Sequence, residues 1–158
     1  MKRLIVIVLL MGALTVLTAC APKPEEVNAV VNNFWDQWKV GNEAGMVDLM
    51  TDEVDYGILI SDDALSTALS TALPTTLSIP PTTKGVPAES IAPALISSEL
   101  QNLGTLTISS TEAFGDYAIV TCQFTATADP TISLQFIFHL NDTDAGWKIN
   151  FLGIKGLA

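Results

Sequence analysis

Apolar and polar residues fall into three regimes along this chain. Residues 4–19 are apolar almost throughout, with no alternation. From residue 25 to about 50 the apolar positions recur with a helical period. Val27, Val30, Val31, Phe34 and Trp38, with Gly41 closing the row, keep the spacing of one buried helix face, and Trp35 lies at its edge. Pro24 suits a first turn, Glu25 and Glu26 complement the helix dipole, and Gly41-Asn42 ends the helix. A second, shorter helix is predicted over Glu43–Met50, with Met46, Val47, Leu49 and Met50 inward. A turn at Thr51-Asp52-Glu53 and a strand over Val54–Ile60 follow. From about residue 104 the period drops to two. Leu106 and Ile108 alternate with Thr and Ser, and Glu112–Asp116 turns around Gly115. Ala118, Val120, Cys122, Phe124 and Ala126 share one face of a strand, and Ile132, Leu134, Phe136, Phe138 and Leu140 one face of the next. Trp147, Ile149 and Phe151 are the predicted inner face of the last, with Asp129-Pro130 and Asn141–Gly146 as connections. Such alternation indicates antiparallel strands covered on one face.

Between these regimes lies Ser61–Pro87. Leu-Ser-Thr-Ala occurs at Leu65–Ala68 and again at Leu69–Ala72. Leu65, Leu69 and Leu73 predict a short helix, with Asp62-Asp63 as its cap and Pro74 as its stop. Thr75–Pro87, with Pro80, Pro81, Gly85 and Pro87, reads as an irregular loop. Residues 61–87 form a low-complexity insertion, either a passive surface segment or a flap over a pocket. A further helix is predicted over Ala88–Leu100 around Ile91, Leu95 and Ile96, with Pro93 bending it or shifting its start.

The opening apolar run is a secretory signal by its pattern. Met1-Lys2-Arg3 is the positive segment, Leu4–Val16 the apolar one, and Ala19 the small residue before a cut. The run is shorter than the roughly 20 residues that span a bilayer comfortably. Leu17-Thr18-Ala19-Cys20 resembles the lipobox of bacterial lipoproteins. The resemblance implies removal of residues 1–19 and acylation of Cys20, by palmitate or similar chains, as the mature N-terminus. The protein is then expected on the extracytoplasmic side of a cell-envelope membrane. An uncleaved, short N-terminal anchor is the alternative. Each buried methylene contributes about 0.8 kcal/mol, so two or three chains hold firmly. Residues 20–25 form a lipidated cysteine and a short proline-containing tether.

With 158 residues, the chain has room for one domain after that segment, at residues 26–158. Loss of Lys2 and Arg3 leaves five of the seven basic residues against 17 acidic ones, a net charge of −12. Such a surface repels phosphate backbones and anionic headgroups, which excludes nucleic acid as a partner and leaves the lipid on Cys20 as the membrane contact. Of the two cysteines, an acylated Cys20 leaves Cys122 without a disulfide partner. No metal-ligand motif or cofactor fingerprint is present, so neither is expected.

Four pieces, in this order and spacing, carry a second resemblance: Phe34-Trp35 through Gly41-Asn42, the run Val47–Val54, the turn Gly115-Asp116-Tyr117-Ala118, and Gly146-Trp147-Lys148-Ile149. Together they resemble the nuclear transport factor 2-like superfamily, of cone-shaped, cystatin-like α+β plan. The resemblance implies N-terminal helices packed on a curved antiparallel sheet of about four to five strands, with a pocket between sheet and first helix. Members include isomerases, dehydratases, transport and secretion components, and lipoproteins of unassigned role. The ketosteroid-isomerase-like enzymes of this superfamily carry a tyrosine on the first helix and an aspartate on the strand after the second. By alignment those slots fall on Phe34 and Ile58, and neither can move a proton. No catalytic residue is assigned, and the reading leans away from an enzyme.

The remaining candidates read blandly one by one. His139 lies on the strand face opposite Phe136 and Phe138. Asp52, Glu53 and Asp55, and Asp142 with Asp144, lack calcium-loop spacing and read as solvated turn acids. Cys122 reads as a buried thiol. Phe34, Trp35 and Trp38 are first a core stripe and, with Tyr56 and Tyr117, candidate pocket lining. The expectation is a lipid-anchored, non-enzymatic binding module for a small apolar ligand or a protein partner. Two alternatives stay open. One is an enzyme whose pocket uses Tyr56, Tyr117, His139 or an acid. The other is an assembly protein that dimerises through the outer face of its sheet, where Ile137 and Tyr117 sit among polar neighbours.

Overall fold

The computed structural model describes residues 23–59, 82–98, 100–128, 130 and 133–156. The signal segment, Cys20, the repeat helix over Leu65–Leu73 and the flap reading of residues 61–81 lie outside the described residues. The order of elements is α1 (Pro24–Lys39), α2 (Glu43–Val47), β1 (Met50–Leu59), β2 (Thr82–Pro87), α3 (Ala88–Ser97), α4 (Leu100–Leu103), β3 (Gly104–Phe114), β4 (Tyr117–Ala126), β5 (Ser133–Thr143) and β6 (Gly146–Gly156). The fold is α+β, with one sheet and helices on one of its faces.

Helix α1 begins and ends where its residue types require. Pro24 opens it, since its missing N–H costs nothing in a first turn. At the other end Gly41 adopts φ 68°, a conformation that only glycine takes freely. There Gly41 N–H donates to the Trp38 carbonyl at 3.0 Å and Asn42 N–H to that of Gln37 at 2.9 Å. These two bonds satisfy the last turn's carbonyls. Asn42 then caps α2, its Oδ1 accepting from Gly45 N at 3.2 Å. Val27, Val31, Phe34, Trp35 and Trp38 are buried, as the spacing predicts, while Gly41 is exposed.

The sheet has six strands in the order β2-β1-β6-β5-β4-β3, more than the four to five expected. All neighbours are antiparallel except β1 and β6, which are parallel. The extra strand is β2, inside the stretch read as an irregular loop. Its Thr82-Thr83-Lys84-Gly85-Val86-Pro87 has no apolar alternation, because it lies at the sheet edge and is held by the backbone of β1. Gly85 at φ 61° makes a bulge there, and its N–H donates to Asp55 Oδ1 at 2.9 Å. Asp55 is thus no solvated turn acid.

Strand β1 starts four residues earlier than expected. The helical row predicted to reach Met50 stops at Val47 because Leu49 and Met50 join β6: the Leu49 carbonyl accepts from Ile149 N at 2.9 Å and Met50 pairs with Ile149. Strands β3 and β5 likewise run on to Phe114 and Thr143, into stretches read as turns. Helix α3 keeps Pro93 in its interior, starts at Ala88, and ends three residues short of Leu100, which opens α4.

Two bulges reset which residues face the helices. Between Ile108 and Ser110, Ser109 is an extra residue in β3, so Thr111 and Ala113 turn inward. Between Ile149 and Phe151, Asn150 is extra in β6, because Leu140 pairs with Ile149 while His139 pairs with Phe151. Side chains alternate with period two, so one extra residue moves all that follow to the other face. Phe151 was expected inside and lies outside; Leu152 and Ile154 fill the core in its place.

Candidate functional site

Under α1 the sheet presents Phe124, Phe136 and Phe138, and the helix presents Phe34, Trp35 and Trp38. All six are buried. Phe34 stands edge-on to Phe138 with ring centroids 5.8 Å apart, Trp35 to Phe124 at 6.2 Å, Trp38 to Phe136 at 6.1 Å, and Trp35 to Trp38 at 5.2 Å. Edge-to-face pairs at these separations are favourable beyond their area. The three helix aromatics are therefore in mutual contact with the sheet, as core. The Trp38 indole N–H donates to the Leu95 carbonyl at 2.9 Å and ties α1 to α3. Tyr56, on β1, is also buried, and desolvation pushes its phenol up to about 12, so it keeps its proton. The isomerase-type slots hold Phe34 here and Ile58 on β1, where Ile58 pairs with Ile154 of β6.

Tyr117 does not join this lining. It starts β4 on the outward parity, while Ala118, Val120 and Cys122 point to the helices. On the outer face it meets His139, with Tyr117 Oη and His139 Nδ1 2.7 Å apart. Their ring centroids are 5.5 Å apart. On the other side His139 lies against Phe151 at 4.4 Å. Phe151 has room to lean because Gly153 has no side chain: a Cβ there would come within 2.8 Å of the Phe151 ring. Burial lowers the His139 pKa below its ordinary 6.5 and raises that of Tyr117 above 10.0, so both are neutral at pH 7. We assign the hydroxyl as donor to Nδ1, which places the imidazole proton on Nε2. Tyr117, His139 and Phe151 thus form a row on the sheet face opposite the described helices. Sequence parity put His139 on that face correctly; it could not supply Phe151, whose side depends on the Asn150 bulge.

The other sequence candidates stay apart from both places. Cys122 is buried, and desolvation pushes its thiol up to about 12. Asp48 and Asp52 line an open pocket of about 400 Å³ with Met50, Thr51, Thr143 and Lys148. The Lys148 ammonium donates to the Asp48 carbonyl there. A second open pocket, of about 630 Å³, is lined by Glu43, Ala44, Val47, Asp48 and Glu89. Neither pocket reaches Phe34, Trp35, Trp38, Tyr56 or Tyr117. Among the described residues no group of three His, Cys, Asp or Glu side chains could hold a metal ion, and no helix is long and apolar enough to cross a membrane.

No protein-family model matches this sequence, and no curated protein does. Solved structures do match the fold. A nuclear transport factor 2-like protein of unknown function from Methylobacillus flagellatus is 12% identical, aligns over 85% of this chain and 91% of its own, and has a TM-score of 0.58. Another, from Shewanella baltica, is 10% identical over 85% of this chain and 93% of its own, with a TM-score of 0.55. A third, described as having a cystatin-like fold, comes from Novosphingobium aromaticivorans and is 16% identical over 94% of this chain and 88% of its own, with a TM-score of 0.53. At such identities the likeness concerns architecture alone: the chain has the nuclear transport factor 2-like, cystatin-like α+β fold.

Proposed function

We propose that this chain is a lipid-anchored, non-enzymatic binding module of the cell envelope, held to a membrane by acyl chains on Cys20. The observation that carries the reading is the lipobox-like Leu17-Thr18-Ala19-Cys20, which ends four residues before α1 begins at Pro24. The domain so tethered recognises a protein partner or a small apolar ligand. In support of binding over catalysis, the side chains beneath α1 are apolar rings, and the one hydroxyl among the sequence candidates there, that of Tyr56, is held protonated. The protein-partner version draws on the outer face, where Ile119, Ile137, Tyr117 and Phe151 are half-buried, with the helices among the described residues on the opposite side.

The test is fractionation of the full chain expressed in a bacterium, with mass analysis of its N-terminal peptide. The expected peptide begins at an acylated Cys20, and Cys20→Ala moves the protein to the soluble fraction. Unchanged membrane retention of that variant would remove lipid as the anchor.

The Tyr117–His139 contact favours a second reading, an enzyme in which this pair moves a proton for a substrate on the outer sheet face. Turnover of a carbonyl or ester substrate that survives intact in a Tyr117→Phe, His139→Gln double variant would eliminate it.

A further inference from the structure

If Cys20 carries the anchor, where α1 begins decides which part of the domain meets the bilayer. Asn28, one turn inside α1, accepts a hydrogen bond at 2.5 Å from Thr111 Oγ1, three residues before the end of β3. From there the helix runs obliquely across the sheet and away from the β3–β4 and β5–β6 turns. Phe34 meets Phe138, which is level with Thr111 through Val120, while Trp35 and Trp38 meet Phe124 and Phe136, both more distant from those turns along β4 and β5. Followed backward, the first turn of α1 therefore leaves at the corner formed by edge strand β3 and its hairpin.

The distances are short. From Asn28 back to Pro24 the helix rises about 6 Å. From Thr111 to Phe114 the strand advances about 10 Å. Four residue steps from Pro24 to Cys20 reach at most about 14 Å. At this corner Phe114 is 57% exposed, although it is a large apolar side chain at the tip of a strand. The β5–β6 turn lies alongside, since Asp142 N–H donates to the Asp116 carbonyl at 2.8 Å. Glu112, Asp116, Asp142 and Asp144 are exposed around it.

We propose that this hairpin corner docks on the lipid surface itself, with Phe114 seated between headgroups and acyl chains while the opposite end of β4, at Ala126 and Thr127, points away. The inference rests on the lipid-anchor reading and adds an orientation to it. The surrounding acids make a zwitterionic surface the fitting one, since anionic headgroups repel them.

The experiment uses the acylated full chain in phosphatidylcholine vesicles whose acyl chains carry bromine near the headgroup. An environment-sensitive fluorophore is placed on Phe114→Cys, on Asp116→Cys, or on Thr127→Cys. Buried Cys122 and acylated Cys20 leave these positions free to react alone. The length of β4 separates its two ends by about 30 Å. Interfacial side chains lie roughly 5–10 Å deep, so the labels at 114 and 116 are expected to lose about half of their emission and the label at 127 almost none. Adding phosphatidylglycerol is expected to weaken that loss. Equal or stronger quenching at 127 overturns the proposal. Should Phe114→Cys fail to fold, Asp116→Cys carries the comparison. Flotation of the same vesicles separates the two readings. If the acylated chain floats but 114 and 116 stay bright, the anchor stands and the orientation falls. If the acylated chain floats no better than Cys20→Ala, the anchor reading fails and takes the orientation with it.

Discussion

Trp38→Phe tests the part of the core that joins the helices to one another. The Trp38 side chain is fully buried between α1, α3 and Phe136, and its N–H donates to the Leu95 carbonyl at 2.9 Å. That carbonyl also accepts from Ser98 Oγ at 2.5 Å and Ser98 N at 3.2 Å. Removing the indole donor therefore leaves no orphaned acceptor, and the loss is that of one net hydrogen bond, about 1 kcal/mol. The smaller ring adds a transfer and cavity cost of roughly 1–2 kcal/mol in a core that can only partly close. The expected destabilisation is about 2–3 kcal/mol, which lowers the melting midpoint by roughly 10 °C for a domain of this size. Urea unfolding, with unchanged slope, gives the value directly. Trp35→Phe is the control. It touches Trp38 and Phe124 but donates no bond to α3 in this structure, and it is expected to cost about 1–2 kcal/mol. If Trp38→Phe costs no more than Trp35→Phe, the indole bond does not hold α3 and the reasoning fails.

Two further outcomes bear on the titratable groups. The His139 pKa is lowered in the fold, so the unfolded chain binds the proton more readily. Its contribution to stability is complete above the unfolded value of 6.5 and is lost as pH falls through 6.5 toward the lower folded value. Urea midpoints between pH 7.5 and 5.5 are expected to fall more steeply for the parent than for His139→Gln, and identical slopes would show that His139 is not a source of that dependence. For Cys122, a thiol raised from its ordinary 9.0 to about 12 has roughly a thousandfold less thiolate near pH 8. In Cys20→Ala protein, a disulfide-exchange reagent is expected to label Cys122 at least that much more slowly in the native state than in urea; comparable rates would mean the thiol is not sequestered.

Much of the fold is legible along the chain because its signals are local. The stripe Val27, Val31, Phe34, Trp38 recurs every turn, and Ala118–Ala126 and Leu134–Leu140 alternate without interruption. Each pattern needs only a partner surface, whichever it is. The same parity placed His139 opposite Phe136 and Phe138, where it lies.

What the chain did not reveal depends on pairing between distant residues. Thr82–Pro87 has no apolar rhythm of its own, and it is a strand because β1 offers it an unpaired edge. Leu49 and Met50 continue a helical row, yet Met50 opens β1 and Leu49 leads into it because β6 binds their backbone a hundred residues later in sequence. Asn150 looks like any strand residue, but as a bulge it reverses Phe151 and so creates the row with His139 and Tyr117. By itself the sequence determined the helix faces and the uninterrupted strands, since each is written in neighbouring residues. Only the tertiary structure decided the sixth strand, the side on which Phe151 stands, and the corner from which α1 departs, because bulges and strand partners are settled by backbone hydrogen bonds between segments far apart in the chain.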